Sequence, residues 1–168
     1  MADDSGVWAK IVPTDFNLGG GKVLQVNRAY STVEQQTAST GKISTGLRVR
    51  ITPKFADSDI YLFATARANA KGMTASAGIV AVRLSIHRES DGSAVFGAED
   101  AYSGHHDLNV IDNSNNFYSH ITLIGHDDAG STDERWYETK FSRAGSTGLA
   151  VLENDKHSSQ LIAIEVAK

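Results

Sequence analysis

Leu47 to Ala66 reads LRVRITPKFADSDIYLFATA, and this stretch decides the fold class. Leu47, Val49 and Ile51 fall on one side and Arg48, Arg50 and Thr52 on the other. That period of two marks a strand with one buried and one wet face. Pro53 ends the pairing, because it has no N–H to give a ladder. The polar bend Lys54 to Asp59 follows, and Ile60, Leu62, Ala64 and Ala66 then alternate against Tyr61, Phe63, Thr65 and Arg67. Two amphipathic strands joined by a short bend are the unit of an antiparallel sandwich.

The same unit recurs outward from this pair. Val23 to Asn27 reads as a first strand, and Arg28 to Lys42, rich in Ser, Thr and Gln, as a loop or weak edge. Asn69 to Gly78 is a connection. Ile79 to His87 alternates again, with Val80, Val82, Leu84 and Ile86 turned inward. Asp91-Gly92 predicts a two-residue hairpin turn, with Ala94 to Ala98 as the returning strand. Glu99 to Asn116 has no period and reads as a long polar excursion, of a length that is usually functional or unstructured. Phe117 to Ile124, Trp136 to Ser142, Leu149 to Leu152 and Gln160 to Val166 supply further strands, with a turn at His126 to Thr132. No segment sustains a helical period. The expected fold is all-β: an antiparallel, jelly-roll-like β-sandwich over residues 22–168, preceded by an extended N-terminal arm over residues 1–21.

Composition narrows the function classes. The chain has 168 residues, enough for one domain with a proper core. Its formal net charge is −4 and its charges are well mixed, which argues against nucleic acid as a main partner. It has no Cys, so disulfide stapling and thiolate chemistry are excluded. No run approaches the ~20 apolar residues of a membrane-spanning helix, and the start of the sequence lacks an apolar stretch of signal-peptide length. A soluble protein made in a cytoplasm is expected.

The arm carries Val7, Trp8, Ile11 and Phe16 without strand or helix periodicity, and Gly19-Gly20-Gly21 closes it as a hinge. Such side chains either fold back on their own domain or anchor on a partner. Several strands are apolar on both faces: Tyr61 and Phe63 oppose Ile60 and Leu62, and Ile124 opposes Leu123. The outer face of a monomeric sandwich should be polar, so a second apolar face predicts subunit packing.

Residues that could carry chemistry do not assemble into a recognisable motif. His105-His106-Asp107 offers imidazoles and a carboxylate, but adjacent residues seldom converge on one ion. His126-Asp127-Asp128 before Gly130 lacks the spacing and closing Glu of a calcium loop. His87 and His120 are expected on strands and partly exposed. There is no Gly-x-Ser-x-Gly elbow, and Gly19-Gly20-Gly21-Lys22 lacks the spacing and following Ser/Thr of a phosphate loop. No catalytic site, cofactor or metal is expected.

The order Gly21-Lys22-Val23-Leu24-Gln25-Val26, Thr45-Gly46-Leu47, Ile51-Thr52-Pro53 and Ser58-Asp59-Ile60-Tyr61-Leu62 resembles a module of tailed-phage virion proteins. The closing Ser159 to Val166 matches it in outline. Asp59 stands where that module usually has Lys, and the stretches 69–78 and 99–116 have no clear counterpart in it. The resemblance covers the chain from Gly21 onward. It implies a non-enzymatic virion structural protein, assembled in the host cytoplasm and forming a homo-oligomer, expected to be a trimer. A single sandwich without shaft or heptads suits a capsid decoration or cement protein, with Val7, Trp8, Ile11 and Phe16 docking on the major capsid protein. The alternative implied by the resemblance is a tail-fibre or receptor-binding module that touches host glycan or protein.

Overall fold

The computed structural model describes residues 21–71, 79–106, 117–145, 148–152 and 158–168. Side chains are described throughout these ranges except at 79–80, 101–106 and 117. The arm residues Val7, Trp8, Ile11 and Phe16, and Asp107, lie outside the described residues.

Among the described residues ten strands run in chain order: β1 (Val23–Ser31), β2 (Gln35–Thr37), β3 (Ile43–Ile51), β4 (Asp59–Lys71), β5 (Ile79–Arg88), β6 (Ala101–His106), β7 (Phe117–Asp128), β8 (Arg135–Ala144), β9 (Leu149–Leu152) and β10 (Ser159–Val166). All pairings are antiparallel, and no described residue is helical. One sheet runs β1-β10-β4-β7 and the other β3-β8-β5-β6. From β1 the chain crosses to β3, back to β4, over to β5 and β6, back to β7, over to β8, and home to β10. Eight strands that pass between two four-stranded sheets in this order make a jelly roll.

The two remaining strands extend the first sheet. β4 is thirteen residues long and holds two partners end to end along one edge. β10 pairs with its Asp59–Thr65 portion and β9 with Ala68–Lys71, and β2 adds to β9.

The core lies between the sheets. Leu47, Val49 and Ile51 of β3 and Ile60, Leu62 and Ala64 of β4 are buried, as their alternation requires. Val82, Leu84 and Ile86 face them from β5, and Tyr137 and Phe141 from β8.

Several segments differ from the sequence expectation. The turn after β5 is a four-residue loop, because Arg88 N–H bonds the Ser93 carbonyl at 3.0 Å. Gly92 takes the left-handed position at φ 70°, and Asp91 Oδ1 accepts the Ser93 amide and hydroxyl. Ala94 to Ala98 does turn back, but it makes isolated bridges to His87 and β7 instead of a strand. Its position is set by packing: Gly125 of β7 has no room for a Cβ beside Val95 and Ala98. On the edge away from β8, β5 pairs with β6, inside the stretch expected to be a period-less loop. A Ser/Gly/His-rich segment has no alternation to read, and its neighbours' ladder groups decide its state. β1 likewise runs four residues further than expected, to Ser31, because β10 pairs with it along its whole length.

Candidate interaction surface

The outer faces of the two sheets are chemically opposite. On the β3-β8-β5-β6 sheet, the described outward residues of β3 and β8 include charged side chains tied to one another. Arg48 forms a two-point salt bridge with Glu89, Arg50 pairs with Glu134 at 3.3 Å, and Lys140 with Glu138 at 3.0 Å. Trp136 lies among them, with the Arg48 guanidinium 4.6 Å and that of Arg50 5.7 Å from its ring centre. Its indole N–H donates to Glu134 at 2.9 Å. A cleft of about 420 Å³ opens beside it, bordered by Arg88, Glu89, Glu134 and Arg135. The indole is therefore already engaged by its neighbours.

On the β1-β10-β4-β7 sheet, strand register places apolar side chains in rows. Val26, Ile164, Tyr61 and His126 form one row across the four strands. Arg28, Ile162, Phe63 and Ile124 form the next. Val26 and Ile124 are 57% and 56% exposed, and Tyr61 sits at 36%. Phe63, Ile162, Ile164 and Val166 are half-buried, because each is shielded only by its neighbours in the sheet. With strands ~4.8 Å apart, the patch covers on the order of a few hundred Å², a size at which apolar patches are often functional. At one end the face dips into a concavity of about 670 Å³ lined by Gly21, Val23, Tyr61, Phe63, Ile164 and Val166. The second apolar face expected from Tyr61, Phe63 and Ile124 is present.

Sequence reasoning left the direction of β10 open, and Ile162, Ile164 and Val166 belong to this outer face. Leu161, Ala163 and Glu165 point inward. The inward set is less β-branched than the outward one, so composition misleads here. The signal that would have found the surface is the pairing itself: with β4 facing inward through Leu62, register puts Ile162 beside Phe63.

A titratable cluster borders the patch. Asp59, His126 and Asp128 bring ligand-type atoms within 4.8 Å of one another, because Asp59 and Asp128 are register partners and His126 is two residues away on the same side. His126 Nε2 is 3.1 Å from Asp59 Oδ1. The Lys168 ammonium lies among them, 3.1 Å from Asp59 and 2.8 Å from Asp128. Its hydrogen bond holds the Asp128 carboxyl below the ordinary range, and the two carboxylates raise the lysine in turn, Asp128 first. The carboxylates are thus met by a cation of the chain's own, which a metal ion would have to displace. Asp127 turns the other way, accepting the Tyr137 hydroxyl at 2.8 Å, with Arg88 at 3.4 Å and Arg135 at 3.7 Å.

His105 and His106 lie on β6, opposite Val80 and Ile79 in register. His120 is exposed, as expected. His87 is not: it is 7% exposed, with Nδ1 donating to the Gly92 carbonyl at 2.8 Å and Nε2 accepting from Ser85 at 2.9 Å. The turn that follows β5 wraps its carbonyl over the ring, and burial pushes the imidazole's pKa down despite the Gly92 bond. Ser85 and His87 have the spacing of a nucleophile and base. However, Ser85 is wholly buried, and the imidazole is oriented by a carbonyl instead of a carboxylate.

No family model and no curated protein matches the sequence. Among solved structures, the chain is similar to "Structure of infectious bursal disease virus Gx strain", with 13% identity and a TM-score of 0.24 over 86% of this chain. It is also similar to "Structure of infectious bursal disease virus Gt strain", with 10% identity and a TM-score of 0.21 over 86% of this chain. The chain spans 37% and 40% of the length of those two chains. Likenesses at this level carry no argument about function.

Proposed function

We propose that the protein is a non-enzymatic structural component of a virion, a homotrimeric block that decorates or cements a capsid. The observation that carries this reading is the sidedness of the sandwich. One outer face is apolar around Tyr61, Phe63, Ile162, Ile164 and Ile124; the other is a salt-bridged surface around Arg48, Glu89 and Glu134. A block of this kind gains stability by burying its apolar face and keeping its ionic face in water, so the stabilisation belongs to the assembly. Jelly rolls with this strand order serve as capsid domains and as lectin or cupin scaffolds, so fold alone does not choose among them. The resemblance to tailed-phage virion modules supports the virion among these. In this reading Val7, Trp8, Ile11 and Phe16 anchor the subunit to the shell.

Copy number in purified particles tests the proposal. Quantitative mass spectrometry should find the protein at a stoichiometry on the scale of the capsid lattice. A small complement per particle would move it to the tail, as a fibre or receptor-binding module. Absence from particles would remove the virion reading altogether.

A further inference from the structure

The apolar face and the start of the described chain lie together. Gly21 lines the same concavity as Tyr61, Phe63 and Ile164. A side chain at this position would run into Val166 Cγ1 and the Ala167 carbonyl, so the backbone is pressed against the end of β10. The Ala167 N–H bond to the Lys22 carbonyl, at 2.9 Å, holds it there. The chain therefore reaches β1 across the rim of the apolar face, on the side away from the salt-bridged sheet.

We propose that in the free subunit the segment before Gly21 folds back over this face, with Val7, Trp8, Ile11 and Phe16 covering the rows that run from Val26 to Ile124. Reach permits it. Phe16 is five residues from Gly21 and so can lie up to about 17 Å away, and Trp8 about 43 Å, against a four-strand width of roughly 15 Å. Chemistry favours this face, because on the opposite sheet the described outward residues Arg48, Arg50, Glu138 and Lys140 are engaged in ion pairs. Gly19-Gly20-Gly21 supplies the reversal, since glycine alone adopts any turn without a Cβ penalty. The segment and the face then mask each other. This inference stands on the position of Gly21 and does not require the virion reading.

Because the chain has no Cys, single pairs can be introduced into the full-length protein. Lys10→Cys is combined either with Thr65→Cys, on the apolar face, or with Glu134→Cys, on the opposite sheet. Under mild oxidation at micromolar concentration, the first pair should form an intramolecular disulfide at least tenfold faster than the second, at a rate independent of protein concentration. Equal rates for the two pairs, or no disulfide, would overturn the proposal. So would disulfide-linked dimers alone, forming faster at higher concentration, which would place the segment on a second copy. As an independent readout, the full-length W8A/F16A variant should bind several-fold more anilinonaphthalene sulfonate than the parent, and adding Ile124→Lys should reverse the gain. Unchanged dye binding in W8A/F16A would also overturn it.

Discussion

Glu165 Oε1 accepts the backbone N–H of Lys54 at 2.7 Å, tying the last strand to the corner that follows β3. The same oxygen takes the Ser58 hydroxyl at 2.7 Å, and Oε2 takes the Gln25 amide at 2.6 Å. Glu165 is fully buried on the core side of β10, where its neighbours Leu161 and Ala163 are apolar. Burial alone would raise its pKa, but the bonds from Ser58, Gln25 and the Lys54 and Phe55 amides outweigh it and hold the carboxyl below its ordinary value. A carboxylate that is more acidic in the folded chain contributes stability above its unfolded pKa and loses it as pH falls through the folded one. The wild type should therefore weaken below about pH 4.3, the ordinary Glu value. Glu165→Gln keeps the shape and removes the charge, and should cost about 1–3 kcal/mol at pH 7. Urea unfolding of both proteins at pH 7 and pH 4 checks this: the gap should narrow at the lower pH, and a constant gap would show that charge is not what Glu165 contributes.

The open side between β3 and the facing strands β1 and β2 is closed by side-chain amides standing in for a ladder. Gln25 Nε2 donates to the Thr52 carbonyl and Asn27 Nδ2 to the Arg50 carbonyl, each at 2.6 Å, and Gln35 Nε2 reaches the Thr45 carbonyl. Replacing Asn27 by Ala removes one such bond at an exposed edge. The expected loss is about 0.5–1.5 kcal/mol, with amide exchange accelerating first in β3. Exchange that speeds up equally in β5 and β8 would mean that the lacing is not local.

The sequence made the strands of the central pair legible because Leu47 to Ile51 and Ile60 to Ala66 carry one buried and one outward set each. It also marked Leu149–Leu152 to the residue, between turn signals. Three features escaped for physical reasons. β6 has no hydrophobic alternation and is a strand only because β5 presents it with unpaired ladder groups. β10 turns its Ile and Val outward and its Glu inward, an inversion set by register with β4 and the donors around Glu165. His87 is buried by a loop whose backbone folds over the ring, which no period records. The apolar surface was visible as strands with two apolar faces, but its extent depends on which residues stand side by side.

His87 should titrate below the ordinary histidine pKa of about 6.5, because burial disfavours the charged ring more than the Gly92 carbonyl favours it. The sign follows: the neutral ring is preferred in the folded chain, so its contribution is complete above pH 6.5 and declines as pH falls through the folded value. Nearby charges oppose one another, Lys140 and Lys42 lowering the value and Glu138 raising it. Proton–carbon NMR of the imidazole resonances should place the His87 midpoint below 6.5, and Lys140→Gln should move it up. A midpoint at or above 6.5 would contradict a neutral ring held between Ser85 and Gly92.

Ile124 separates stability from assembly. It lies on the apolar face at 56% exposure beside Phe63, so its side chain contributes little to the core while forming the β7 edge of the patch. Ile124→Lys should change folding stability by no more than about 0.5 kcal/mol, as exposed substitutions usually do. The same change sets a charge where the proposed interface buries apolar surface, and desolvating that ammonium opposes association. Particles grown with the variant should carry it at least tenfold below wild-type occupancy. Ile121, three residues earlier on the core side of β7, is the contrast: Ile121→Ala should cost about 2–4 kcal/mol in urea unfolding and leave the occupancy of the remaining folded protein unchanged. If Ile124→Lys assembles at full occupancy, the apolar sheet face is not what the protein attaches by.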